Sequence, residues 1–96
     1  MPRYVVLLNW TDQGVKNVKD TIKRSAAAKA AFEKSGGRML DIYWTLGGYD
    51  LVVTAEAPDD ETMTAIALGL ATQGNVRTTT LRAFNEQEMQ RILQKL

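Results

Sequence analysis

The chemistry open to this chain is narrow, because its 96 residues include no histidine and no cysteine. Their absence removes serine–histidine–aspartate and cysteine–histidine catalysis, thiolate chemistry, the common zinc sites and histidine-ligated haem. Acid–base work is left to Asp, Glu, Lys and Tyr, and Arg can only hold or polarise. Within those limits one stretch draws notice, TLGGYDLVV at residues 45–53, where two glycines, a tyrosine and an aspartate separate two apolar runs. Gly47 and Gly48 suit a tight turn that needs positive φ. Asp50 can lock such a turn by accepting backbone N–H bonds, or pair with Arg77. Tyr49 either packs or faces a ligand.

The elements that must position these residues follow from hydrophobic periodicity. Residues 3–9, RYVVLLN, read as a strand with apolar side chains on both faces. Residues 11–35 read as helical with a break: Thr11 and Asp12 suit a first helix start, Asp20 and Thr21 a second. The main helix stops at Gly36-Gly37, its alanines letting it lie close to a sheet and Phe32 anchoring it. Residues 38–46 alternate as a second strand, with Leu40, Ile42, Trp44 and Leu46 on one face and Met39, Asp41, Tyr43 and Thr45 on the other. LVVTAEA forms the third strand. A helix capped by Asp59 or Asp60 follows, with Met63, Ile66, Ala67 and Leu70 on one face and Gly74 at its end. VRTTTLRAF is the fourth strand, and Asn85 with Glu88 forms a capping box for a last helix striped by Met89, Ile92, Leu93 and Leu96.

The order β-α-β-β-α-β-α is the ferredoxin-like split β-α-β pattern with a C-terminal helix. The fold class is α+β, one domain over residues 1–96, and right-handed crossovers give an antiparallel sheet of strand order 4-1-3-2. Both main helices then cover one sheet face. The other face is left bare, yet neither face of the first or third strand is polar: Val5 and Leu7 compete with Tyr4, Val6 and Leu8, and Val52 with Leu51 and Val53. A homodimer whose sheets face each other, or a larger homo-oligomer, is therefore expected.

The same topology gathers the chemically interesting residues at one edge, where the ends of the first two strands meet the starts of the last two. Asn9, Trp10, Trp44, Gly48, Tyr49, Asp50 and Arg77 are the candidate ligand-binding residues, with Thr45, Asn75 and Thr78 beside them. Aromatic walls, a carboxylate and a guanidinium suit a small-molecule pocket. Catalytic residues are not assigned, and neither a metal nor a cofactor is expected. Lys16, Lys19 and Lys23 fall at i, i+3 and i+7 and read as a solvated helix face. With net charge +1 there is no bias toward nucleic acid or membrane. At 45% apolar and 24% charged residues the composition is that of an ordinary globular domain. A cytoplasmic location without a signal peptide is the expectation.

At LGGYDLVV the chain resembles the bacterial GYD-domain family, named for the tripeptide. The likeness continues in LLNWTDQGVKNVKD, GGRMLDIYWTLGGYD, EAPDDETMTAIALGLATQGNVRTTTLRAF and NEQEM, nearly the whole chain. The resemblance implies the dimeric α+β barrel arrangement of two ferredoxin-like sheets and implies little about chemistry. GYDLVV followed by a helix and GNVRTTTL is also similar to the ligand-binding module of feast/famine transcription regulators. That likeness implies a ligand near Gly48, Tyr49, Asp50 and the start of the last strand. No helix-turn-helix precedes the first strand, so regulation of DNA does not carry over. Asn9, Trp10, Tyr43, Trp44 and Arg82 match residue types used by cofactor-free monooxygenases of the same barrel, at the level of fold analogy.

Three functions remain in play. The first is a small oligomeric ligand-binding protein with a strand-end or inter-subunit pocket. The second is a cofactor-free monooxygenase or isomerase, whose base would be Asp50, Glu56 or Tyr43. The third is a purely structural or interaction oligomer.

Overall fold

The computed structural model describes residues 1–96. Its strands are β1 (Arg3–Trp10), β2 (Arg38–Trp44), β3 (Leu51–Glu56) and β4 (Val76–Ala83). Its helices are α1 (Asp12–Lys16), α2 (Thr21–Lys34), α3 (Asp60–Thr72) and α4 (Glu86–Leu93), with a 3-10 turn at Val18–Asp20 between the first two. The sheet is antiparallel throughout and ordered β2-β3-β1-β4, the expected order read from the other edge.

Local signals set the helix ends. Thr11 Oγ1 accepts from Gly14 N at 3.1 Å, and Asp59 Oδ1 accepts from Thr62 N at 2.8 Å. Asn85 and Glu88 form the full capping box. Asp20 occupies the N-cap position of α2 but makes no side-chain cap bond. The break at Asn17 also corrects the lysine stripe: Lys16 lies in α1, Lys19 in the 3-10 turn and Lys23 in α2, so the three share no helix face.

The core lies between the sheet and α2 and α3. Tyr4, Val6 and Leu8 of β1 and Leu51, Val53 and Ala55 of β3 are buried there with Phe32, Met63 and Ile66. Phe32 is only 1% exposed, the anchor expected of the one aromatic residue in an alanine-rich helix. Burying such an aromatic contributes about 1.5–3 kcal/mol relative to leaving it exposed. Gly14 is close-packed for a different reason: a Cβ there would collide with the carbonyl of Asn75. That contact, with Thr11 N donating to Asn75 O at 3.1 Å, pins α1 against the start of β4.

One strand departs from its expected pleat. The β2–β3 register steps from Met39↔Ala55 to Asp41↔Thr54, leaving Leu40 as an extra residue. A bulge shifts the side-chain parity of everything before it. Met39 thus joins Ile42 and Trp44 on the helix side instead of opposing them. Leu46 is in the loop beyond β2 and fully exposed, so it belongs to neither face.

The sheet's second face is open. Val5, Leu7, Val52, Leu81 and Tyr43 lie on it, with Leu81 47% and Tyr43 61% exposed. Helix α4 does not cover it. Phe84, Met89 and Leu93 are each about half exposed and Leu96 almost wholly so. No helix is long and apolar enough to cross a membrane.

Candidate functional site

The β2–β3 loop is tied down by a set of short bonds that link it to β1. Asp50 N donates to Leu8 O at 2.9 Å, and the Asp50 carboxylate accepts from Trp10 N at 2.9 Å. Asn9 Nδ2 donates to Gly48 O at 2.8 Å. Across the turn Thr45 N donates to Asp50 O at 2.8 Å and Thr45 Oγ1 to Tyr49 O at 2.5 Å. Gly47, at φ 122°, takes the left-handed conformation a side chain would resist; Gly48 does not need it. Asp50 therefore works as a lock between the turn and the end of β1, and its partner is a backbone N–H, not Arg77.

Asn9, Trp10, Gly48, Tyr49 and Asp50 are thus brought together at one edge. The pleat then divides the wider set. Asn9 sits opposite Arg77 in the β1–β4 register, and both point to the open face. Trp10 and Trp44 lie on the helix side, where Trp10 packs against the core and Trp44 Nε1 donates to Thr21 Oγ1 at 3.0 Å. Tyr49, 40% exposed, stands at the loop. Arg77 is exposed and forms no ion pair. The strand-end group is one edge but two surfaces, with the sheet between them.

The candidate bases are also placed. Glu56 is on the open face, 3.0 Å from Arg3 and 3.7 Å from Arg38. Tyr43 is on the open face near Asp41, whose carboxylate accepts from Thr54 Oγ1 at 2.9 Å.

A polar group escaped the sequence reading. Tyr4 OH donates to Asp60 Oδ1 at 2.5 Å, 56 residues away. Burial, then the bond to Asp60, pushes the phenol up to about 12, so it is a neutral donor at physiological pH. Arg82 lies 5.8 Å from the Tyr4 ring and 4.6 Å from the Phe84 ring, and its guanidinium approaches Glu88 at 3.7 Å. Tyr4, Asp60, Thr78, Thr80 and Arg82 border a groove of about 340 Å³ between α3 and β4. The only advance signal was a tyrosine at a core-facing position, since a buried phenol needs a partner.

Together these features define a ferredoxin-like α+β fold with a locked strand-end turn and an uncovered sheet face. The GYD-domain family profile matches residues 4–93, and the chain belongs to that family. It is 36% identical over 85 residues to the glutamine synthetase and cystathionine beta-lyase binding protein of Thermus thermophilus, covering 88% of this chain and 90% of that one. Among solved structures it is similar to TTHA0845 from the same organism, with 25% identity, a TM-score of 0.58, and coverage of 88% and 95%. It is also similar to MtbAldR, with 14% identity and a TM-score of 0.68. That likeness covers 88% of this chain and about half, 52%, of MtbAldR, and it shows shared fold alone.

Proposed function

We propose that this GYD-domain chain is a binding protein that works as a homodimer, open sheet face against open sheet face, and engages a protein partner in that assembled form. The carrying observation is the apolar strip of Val5, Leu7, Val52 and Leu81 on a sheet face that no helix covers. Strand spacing and rise give this four-stranded face a footprint on the order of 20 × 25 Å. Side-chain relief and the exposed stripe of α4 bring it toward the ~800 Å² per partner of a standard interface. The rim carries Arg3, Arg38, Glu56 and Asp41, both signs, and a net charge of +1 sets up little repulsion between two copies. The name of the Thermus relative, a binding protein for two enzymes, supports a protein partner. Native mass spectrometry tests the assembly: twice the chain mass for wild type and the single mass for Leu7→Lys. A wild-type monomer at micromolar concentration would sink the proposal.

A second reading keeps a small-molecule site at the strand ends, on the open-face side around Asn9, Arg77 and the Gly48–Asp50 turn, with Trp10 and Trp44 across the sheet from it. The unpaired Arg77 beside Asn9 favours it, because an exposed guanidinium with no carboxylate is free to take an anion. On this reading Arg77→Ala abolishes ligand-induced thermal stabilisation without changing the subunit count. Unchanged stabilisation would remove Arg77 from the site.

A further inference from the structure

We propose that the open-mouthed hollow between α2, α3 and the sheet is a binding site for a short aliphatic monocarboxylate, the chain inside and the carboxylate at Arg24. The site is within one chain and does not depend on the dimer.

The hollow is a consequence of side-chain size along α2. Thr21, Ser25, Ala28 and Phe32 face the sheet at i, i+4, i+7 and i+11. Phe32 fills the C-terminal half of that row. The three small residues before it span the sheet without filling the space beneath. A cavity of about 60 Å³ remains, walled by Leu8, Trp10, Ile42, Leu51, Ala67 and Leu70. Thirteen of its 18 lining residues are hydrophobic. An apolar space of this kind holds water poorly, since a buried water needs two to four polar partners. Its volume suits a chain of a few carbons.

The mouth supplies the head group. Arg24 is the one ionisable residue among those that line the cavity. The residue is partly buried, and its guanidinium donates to Asn17 O at 2.6 Å and Gly14 O at 3.4 Å and joins none of the ion pairs. Two carbonyls orient the fork and leave other N–H groups unspent. A cation held beside an apolar hollow without an anion is complementary to a carboxylate on a hydrocarbon chain. One guanidinium balances one negative charge, which favours a monocarboxylate over a phosphate ester. No carboxylate or phenol lines the cavity, so nothing there would abstract a proton, and the ligand is bound unchanged.

The test is an amide and methyl NMR titration of the full chain with butanoate, pentanoate, hexanoate and heptanoate, each beside the alcohol of equal length. Saturable shifts are expected at Leu8, Ala28 and Leu70, strongest at one chain length, with the carboxylate tighter than its alcohol by roughly tenfold. Arg24→Gln should bring the carboxylate down to the alcohol's affinity, and Arg24→Lys should keep part of the preference. Ala28→Leu should fill the hollow and abolish both series. If Ala28→Leu does not fold, the Arg24 pair still decides. Absence of saturable shifts at these residues in wild type overturns the site. So does a carboxylate preference that survives Arg24→Gln.

Discussion

The two faces of the sheet are built from neighbouring residues of the same strands and have met different fates. Tyr4, Val6 and Leu8 are at most 7% exposed, closed over by two helices. Val5 and Leu7, one position along, share their apolar character but have no helix above them. A strand that is apolar on both sides needs cover on both sides. Within one chain α2 and α3 supply the first cover, and α4 stands aside with its own stripe exposed. Hydrophobicity in a strand therefore signals demand for a partner, and only the course of the chain says whether that partner is internal.

The largest expected effect lies on the covered face. Phe32→Ala should cost about 3–5 kcal/mol in chemical unfolding, because a fully packed aromatic leaves a cavity the small residues around it cannot close. Leu7→Lys is the matching test of the open face. It should convert the proposed dimer to monomer in native mass spectrometry while the monomer keeps its fold, as surface substitutions usually do. If Leu7→Lys unfolds the chain as severely as Phe32→Ala, the two faces are not different in kind.

Two smaller tests sharpen the contrast at the margin of the covered face. Tyr4→Phe should lose about 1.5 kcal/mol, the lower end of the range for a hydrogen bond to a charged group. Its pH signature is specific. The folded state raises the phenol from 10.0 to about 12, so the stabilisation is whole below pH 10 and lost as pH rises from there toward 12. The variant should show a flatter alkaline limb in thermal unfolding. At the acid end, bonds from Thr62 hold the Asp59 carboxyl below 3.8, and the Asn85 backbone bond holds Glu88 below 4.5. Those cap contributions are present above these values and fade as pH falls through the lower folded ones. Asp59→Ala should give the smallest effect, a weakened acid-side dependence with α3 fraying first by amide exchange.

Much of the strand-end geometry was legible at the level of place. The turn at Gly47 and the lock at Asp50 follow from residue chemistry, and strand order alone brings Asn9, Trp10 and Arg77 to one edge. Their division between two surfaces was not legible, because it depends on which parity each strand turns toward the helices. Leu40 shows the difficulty. One extra residue, invisible in an alternating pattern, moves Met39 to the core side. Arg24 was equally hidden, since its meaning comes from the size of Thr21, Ser25 and Ala28 and from carbonyls up to ten residues away.

Taken by itself, the sequence determined what short-range forces decide: the strands and helices, their caps, the breaks at glycine, and through chirality the order of the sheet. It also ruled out histidine and cysteine chemistry. The tertiary structure alone decided which residues share a surface, that Tyr4 finds Asp60, that Gly14 must admit the Asn75 carbonyl, and that a hollow opens beneath α2. Those outcomes rest on contacts between residues tens of positions apart, where a single-residue shift in register or one missing side chain changes the result and leaves the local pattern untouched.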